Sequence, residues 1–362
     1  MLLILFIFFY CEFFCYKLLS HVSWPRIPEI NPKAVRMLLV SDPQLPGHMS
    51  NPTSITAAIS RSDIDRYIKS TYHEALHYTQ PDVIIFLGDL LDEGSVAGEH
   101  EFKSYVKRFY NVFDIKKHHE ERHHIFVPGD NDIGGEGWDR ATPEKIERFE
   151  YAFHAPIEDE EVFKFITFDK ANIMPGAKSQ LKHAQPQNRG EAYQQTVKIL
   201  LSHFPLTEPD ARRPQGDEIV RNFSPNLIFS GHEHQSFFLH DGNKQKFEMQ
   251  KGYVNLNILD HQSEKEMVLP SCNYKMGAAG FGFAVLEQNG AMFYSILWLP
   301  PRSKVLLMYL IFIPVILVLI NLDKTFRNQS FFSWLMEGAI EAKDEITKKS
   351  VFTKRAQRKF RD

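Results

Sequence analysis

Three cysteines in 362 residues are too few for a disulfide framework, and two of them, Cys11 and Cys15, lie inside an apolar N-terminal stretch. Only Cys272 is left, so cysteine chemistry is set aside as a source of function. Excess positive charge is missing too. Lys and Arg number 42 against 45 Asp and Glu, a formal net charge of −3, and the middle of the chain is nowhere basic for long. That argues against nucleic acid as a partner, since its binding normally needs a basic surface or stripe. The chain is longer than an ordinary single domain, yet too short for two once its hydrophobic ends are subtracted. One catalytic-sized domain, over residues 34–300, with appendages is expected.

Apolar sequence is plentiful at both ends. Residues 305–322, VLLMYLIFIPVILVLINL, carry no charge. As a helix they are long enough to cross a bilayer core of about 30 Å, and Pro314 is tolerated there as a kink. Residues 2–19 are apolar as well, although Glu12 and Lys17 interrupt them and no positive n-region precedes them. No small-x-small cleavage pattern precedes Trp24, so residues 1–22 are expected to form an uncleaved transmembrane signal-anchor. The tail, residues 323–362, carries Lys348, Lys349, Lys354, Arg355, Arg358, Lys359 and Arg361, which by the positive-inside tendency keeps it cytosolic. Both termini are then cytosolic and the middle lumenal. The final RKFRD approaches a dilysine-type retrieval signal but has Phe360 where a lysine belongs, and the sequon Asn222-Phe223-Ser224 is followed directly by Pro225.

Between the ends, short aliphatic runs stop repeatedly at polar clusters, with helical stretches between them. RMLLV precedes Ser41-Asp42, VIIFL precedes Gly88-Asp89, HIFVP precedes Gly129-Asp130, KILL precedes Ser202-His203, and LIF precedes Ser230-Gly231-His232. This is the pattern of an α/β sheet, in which sites assemble beyond the carboxyl ends of strands. The stretches DIDRYIKSTYHEALHY and EFKSYVKRFYNVFDI have apolar residues at helical spacing. His73 and His77, four apart on the first, lack acidic partners and are read as packing or solvent-facing. The mixed run from His118 to His124 is read as a solvated connection. Residues 170–195, polar and punctuated by Gly and Pro, read as a long surface loop.

Asp42, Asp89, Asp130, His203, His232 and His234 supply carboxylates and imidazoles, a donor set suited to divalent ions of intermediate hardness. A carboxylate such as Asp89 can bridge two cations, and two cations about 3.5–4 Å apart can clamp a phosphate and activate a water. Gly88, Gly129 and Gly231 allow tight turns beside the ligands. Taken singly the clusters are weak; in order they form D-x-Q, GDxxD, GDND, SH and GHxH.

That order resembles the calcineurin-like metallophosphoesterases, whose blocks run D-x-H, GDxxD, GNH(D/E), H and GHxH. Cys11-Glu12-Phe13, Trp24-Pro25, FLGDLLDEG, Asp132-Ile133-Gly134, KIERFE and LPPR before the C-terminal span resemble the branch of that family that remodels glycosylphosphatidylinositol (GPI) anchors after their attachment. The resemblance implies an α/β fold of two facing mixed β-sheets flanked by helices. It also implies two Mn²⁺ ions, with Mg²⁺ as the alternative, and removal of an ethanolamine phosphate side branch from the glycan of GPI-anchored proteins. The setting it implies is the early secretory membrane between endoplasmic reticulum and Golgi, where the cytosolic tail is available to cargo receptors or coats.

Carried over, the family roles give the first metal to Asp42 and His234, the bridge to Asp89, and the second metal to Asp130, His203 and His232. Three positions depart from the pattern. Gln44 stands in place of a ligating histidine, with a carbonyl oxygen as a weaker neutral donor. Asp130 replaces an asparagine, which together with Gln44 enriches the site in oxygen and favours Mn²⁺ or Mg²⁺ over zinc. Asn131 occupies the position of the histidine that protonates the leaving alkoxide, and asparagine is no acid at neutral pH. His48 is the substitute considered for that proton. Two other readings stand beside this one: a different phosphoesterase of the same fold, and a metal-stabilised module that binds GPI-linked cargo without catalysis.

Overall fold

The computed structural model describes residues 2–27, 31–48, 54–115, 122–154, 165–172, 180–183, 196–207, 215–240, 245–248, 252–260 and 264–359. The chain divides into two compact units: Cys11–Arg302, and the segments Met1–Tyr10 and Ser303–Asp362 together.

In the larger unit β1 (Val35–Val40), β2 (Val83–Leu87) and β3 (His123–Val127) lie parallel, joined by α3 (Ile55–Thr79) and α4 (Glu99–Val112). The side chain of Ser54 caps α3 by accepting from Ala57 N. With β10 (Tyr253–Asn257), β12 (Gly280–Leu286) and β13 (Ala291–Trp298) these strands make a six-stranded mixed sheet of order β10-β13-β12-β1-β2-β3. The second sheet has seven strands in the order β5-β4-β6-β7-β11-β8-β9. These are β4 (Ile166–Asn172), β5 (Gln180–His183), β6 (Val197–Ser202), β7 (Leu227–Ser230), β8 (Phe237–His240), β9 (Gln245–Glu248) and β11 (Lys265–Val268).

Strand alternation explains why the sheets face each other. Met37 and Leu39 of β1, Ile85 and Leu87 of β2, and Val127 of β3 pack with Ile199 and Leu201 of β6, Phe229 of β7 and Met267 of β11 in one buried cluster. The alternate residues Leu38, Val40, Ile84, Phe86 and Phe126 turn to the other face, against Ile64, Tyr67 and Ile68 of α3 and Phe102, Tyr105 and Phe109 of α4. Strands buried on both faces carry no polar alternation, so VIIFL reads as a continuous apolar run. At about 1.5–3 kcal/mol for each fully buried aliphatic or aromatic side chain, this interleaved layer makes the strand ends a stiff frame for the loops beyond them.

One segment differs from expectation. Residues 170–172 close β4 and pair with β5 in an antiparallel ladder, so the stretch read as one long loop begins and continues as sheet; residues 173–179 and 184–195 lie outside the described residues. The N-terminal run is helical, as α1 (Leu2–Phe9), a π-helical segment (Tyr10–Phe14) and α2 (Cys15–Val22). From Cys11 onward it belongs to the larger unit, where Cys11, Glu12, Tyr16 and Trp24 are buried. Among the described residues one helix, over Arg302–Ile346, is long and apolar enough to cross a membrane by length and composition. It lies in α8 (Arg302–Lys359), where Leu310, Ile311, Phe312, Val315 and Val318 are left exposed.

Candidate metal centre

Five loops follow the carboxyl ends of β1, β2, β3, β6 and β7, and short bonds lace them together. Asp42 N donates to Gly88 O (3.2 Å) and Gln44 N to Asp89 O (2.9 Å), joining the first loop to the second. The third loop opens α5 (Asp130–Ile133), whose Asp132 carboxylate accepts from Leu90 N (3.1 Å), Leu91 N (3.0 Å) and Gly129 N (2.9 Å). In the fifth, His232 N donates to Asp42 Oδ2 (3.1 Å). Glycine is required at Gly88, where φ is +90° and a Cβ would stand 2.5 Å from the His203 ring, and at Gly129, where it would meet Asp89 at 2.2 Å.

The donors expected from sequence meet above these loops. His203 donates from Nδ1 to Leu87 O (2.8 Å), which leaves Nε2 3.0 Å from Asp130 Oδ1 and 3.4 Å from Asp89 Oδ1. His232 Nδ1 lies 3.3 Å from Asp130 Oδ1, and His234 Nε2 lies 3.4 Å from Asp42 Oδ1. Asp130, His203 and His232 offer three ligand atoms within 4.8 Å of one another; Asp42, Asp89 and His203 offer a second such set. Gln44 turns its amide NH₂ to Asp89 Oδ2 (3.0 Å) and to His234 Nε2 (3.1 Å). It therefore bridges two ligand-type residues, and half a turn of the amide presents its oxygen instead.

The remaining two candidates stand differently. Asn131 donates to Asp89 twice, from its backbone N to Oδ1 (2.9 Å) and from Nδ2 to Oδ2 (2.9 Å), so it orients the carboxylate at the centre. His48 is exposed, with its backbone N donating to Tyr105 OH (2.8 Å) and its ring centroid 5.9 Å from that of Tyr105. The structure thus sets the ring of His48 against α4.

The backbone carries a signature of its own. Asp42, Gln44, Asp89, His232 and His234 have φ of 50°, 41°, 51°, 67° and 53°. Non-glycine residues in this left-handed region cost about 1–3 kcal/mol each and persist only where surroundings over-determine them, typically at functional sites. Part of that surrounding is a residue outside every sequence block. The buried carboxylate of Glu266 accepts from Ser230 Oγ (2.7 Å), Thr207 Oγ1 (2.6 Å), Leu206 N (2.9 Å) and Thr207 N (2.8 Å), binding the fourth loop to β7.

The donor set fits divalent cations. Asp42, Asp89 and Asp130 are 0%, 2% and 6% exposed, and three buried carboxylates converging without a cation are costly. Asp42 Oδ1, fully buried, accepts no hydrogen bond. Burial pushes the Asp89 carboxyl up to about 6, with the charge of His203 opposing and those of Asp130 and Asp42 adding. Burial acts the same way on Asp130, but hydrogen bonds from His203 and His232 overcome it and hold that carboxyl well below the usual range. His203, against the opposing effect of burial, is raised to about 10 by Asp89 and Asp130. The Asp42 carboxylate, with Oδ1 3.4 Å from Nε2, raises His234.

A pH dependence follows with a definite sign. In the chelated chain the stabilisation from protonated His203 is complete below about 6.5, its unfolded value, and is lost as pH rises through about 10. A metal needs the neutral imidazole, so metal binding expels protons. The thermal midpoint of the chelated chain should fall from pH 6.5 to 10, and calorimetric titration with Mn²⁺ in buffers of different ionisation heat should show net proton release at pH 7. A flat midpoint with no proton release would refute the assignment of His203.

With this geometry in view, comparison with known proteins is informative. The family model for calcineurin-like phosphoesterase matches residues 35–236. The chain is 25% identical to the metallophosphoesterase 1 homolog of Caenorhabditis elegans over 266 residues, covering 62% of this chain and 67% of that protein. It is 25% identical to metallophosphoesterase 1 of Xenopus laevis over 302 residues, covering 66% and 72%. Cell division control protein 1 of Saccharomyces cerevisiae is 25% identical over 226 residues, covering 60% of this chain and 45% of the yeast protein.

Proposed function

Because the chain belongs to the calcineurin-like phosphoesterase family, and is a phosphoester hydrolase, we propose that it removes an ethanolamine phosphate side branch from the glycan of GPI-anchored proteins. The observation that carries the chemistry is the pair of three-ligand sets sharing His203. The substrate part rests on the resemblance in FLGDLLDEG, Asp132-Ile133-Gly134 and KIERFE, on the similarity to metallophosphoesterase 1, and on a helix suited to hold the enzyme where lipid-linked glycans are.

In this reading Asp42, Asp89, His234 and Gln44 would hold one divalent ion and Asp130, His203 and His232 a second. Mn²⁺ is favoured, with Mg²⁺ next. When bound, such ions neutralise the phosphate and activate water. The protein's own part is orientation. Asn131 fixes both oxygens of Asp89, the bond to Leu87 O fixes the His203 ring, and Phe204, its centroid 4.3 Å from that of His232, covers the second histidine. Asn131 holds no dissociable proton, so the leaving alkoxide takes its proton from water. The enzyme acts from early secretory membranes, with residues 323–362 open to cargo receptors or coats. A non-catalytic module that binds GPI-linked cargo draws on Asn131 and Gln44, and turnover separates the two.

The full chain with Mn²⁺ in mixed micelles should release ethanolamine phosphate from a GPI-anchored protein bearing that branch, followed by mass spectrometry of the lipid glycan. Hydrolysis of nucleotide diesters with no release from the glycan would overturn the substrate assignment and leave the hydrolase in place.

A further inference from the structure

The metal-bearing loop is braced by a segment whose own support reaches the N-terminal helix. Ser271 Oγ donates to Asp42 O (2.6 Å), Cys272 N to Ser41 O (3.0 Å), and Asn273 Nδ2 to Pro43 O (3.0 Å). Three successive residues thus hold the loop in which Asp42 and Gln44 keep φ at 50° and 41°. The next residue fixes this brace to the body of the protein. Tyr274 OH donates to Asp63 Oδ2 (2.8 Å) on α3.

Asp63 belongs to a four-charge cluster. Arg302, only 2% exposed, donates to Asp63 Oδ1 (2.6 Å) and Oδ2 (3.2 Å), to Glu12 Oε1 (3.2 Å) and to Tyr16 OH (3.4 Å). Arg66 bridges the same two carboxylates, Glu12 and Asp63. Two cations face two anions, so the cluster is neutral, and breaking a buried pair on one side is far more disruptive than its net worth. Glu12 and Tyr16 come from the segment that sequence alone reads as a membrane anchor. A mere tether has no need of a buried carboxylate bonded to two arginines of the catalytic unit.

We propose that the N-terminal helix is a positioning element of the metal centre. Through Glu12, Arg302, Asp63 and Tyr274 it keeps the Ser41–Gln44 loop in the left-handed conformation that presents Asp42, so the site's metal affinity depends on a side chain in the apolar leader. The segment is therefore retained in the working enzyme. The inference rests on the reading of Asp42 as a metal ligand, and strained residues of this kind relax when their surroundings loosen. Glu12 and Tyr274 belong to neither ligand set.

The test is Mn²⁺ binding, by calorimetry, to the full chain in detergent micelles, for the unaltered protein, Glu12→Gln, Tyr274→Phe and the double variant. Each single change should weaken Mn²⁺ binding about 5-fold or more. The double variant should be no weaker than the worse single one, because the two residues act in series. Tyr274→Phe removes one hydroxyl and leaves the apolar ring, so it carries the test even where Glu12→Gln does not fold. Unchanged Mn²⁺ affinity in Tyr274→Phe overturns the proposal, whatever happens to thermal stability. Absence of Mn²⁺ uptake by the unaltered chain overturns the metal reading beneath it, and the proposal with it.

Discussion

Asp89→Asn should lower phosphodiester turnover by about 10³-fold or more and reduce the fall in the chelated protein's thermal midpoint between pH 6.5 and 10. The two effects separate because they arise from different physics. Asp89 is 2% exposed, and in the chelated protein its carboxyl is pushed up to about 6 by burial, with Asp130 and Asp42 adding to the rise. Its charge is in turn the first support of protonated His203, which it helps raise to about 10, and a neutral amide of the same shape removes that support. Catalysis suffers doubly. Asparagine lacks the charge and the second acceptor needed to bridge two cations, and losing about 4 kcal/mol of charge stabilisation corresponds to about 10³ in rate. Its new NH₂ also faces the amide groups of Gln44 and Asn131, which now donate to Asp89 Oδ2. Turnover of bis(p-nitrophenyl) phosphate with Mn²⁺, beside thermal melts in chelator, reads both. Activity within tenfold of the unaltered enzyme would remove Asp89 from the centre.

What the amino-acid order reveals about this centre is the part encoded locally. VIIFL followed by Gly-Asp is legible because a strand buried on both faces is a short apolar run and its terminal turn needs glycine. The six Asp and His candidates stand out for the same reason: each sits at or just beyond such a boundary. Asp132 and Glu266 could not be assigned their roles, because their worth lies in backbone N–H groups brought from other loops, Leu90 and Leu91 for one, Leu206 and Thr207 for the other. The left-handed residues Asp42, Gln44, Asp89, His232 and His234 are similarly invisible, since strain is a property of the assembled loops. Hydropathy misses one contact of the N-terminal run for a related reason. It weighs Glu12 as an interruption of an apolar stretch, whereas Arg302, 290 residues away in sequence, makes it a docking point.

Asn131→His should raise turnover of diesters with alkyl leaving groups by about 10-fold or more, and lower turnover of p-nitrophenyl diesters by no more than about 5-fold. The reasoning weighs a gain against a loss. A positioned general acid contributes about 10²–10⁴-fold when the leaving alkoxide needs a proton. Two powers of ten correspond to about 2.7 kcal/mol. Against that, the substitution removes the Nδ2 bond to Asp89 Oδ2 (2.9 Å), a loss of about 1 kcal/mol, and keeps the backbone bond from residue 131 to Oδ1 (2.9 Å). The gain exceeds the loss for alkoxides. It does not for p-nitrophenolate, which leaves without protonation and feels only the weaker hold on Asp89. The ratio of alkyl to p-nitrophenyl turnover is therefore the diagnostic, because a general loosening of the site lowers both together. A second mark is the pH profile, which should acquire an alkaline limb as the new imidazole loses its proton. Equal falls for both leaving groups, with no new limb, would show that Asn131 is needed for the carboxylate it orients and that its position lies beyond reach of the leaving oxygen.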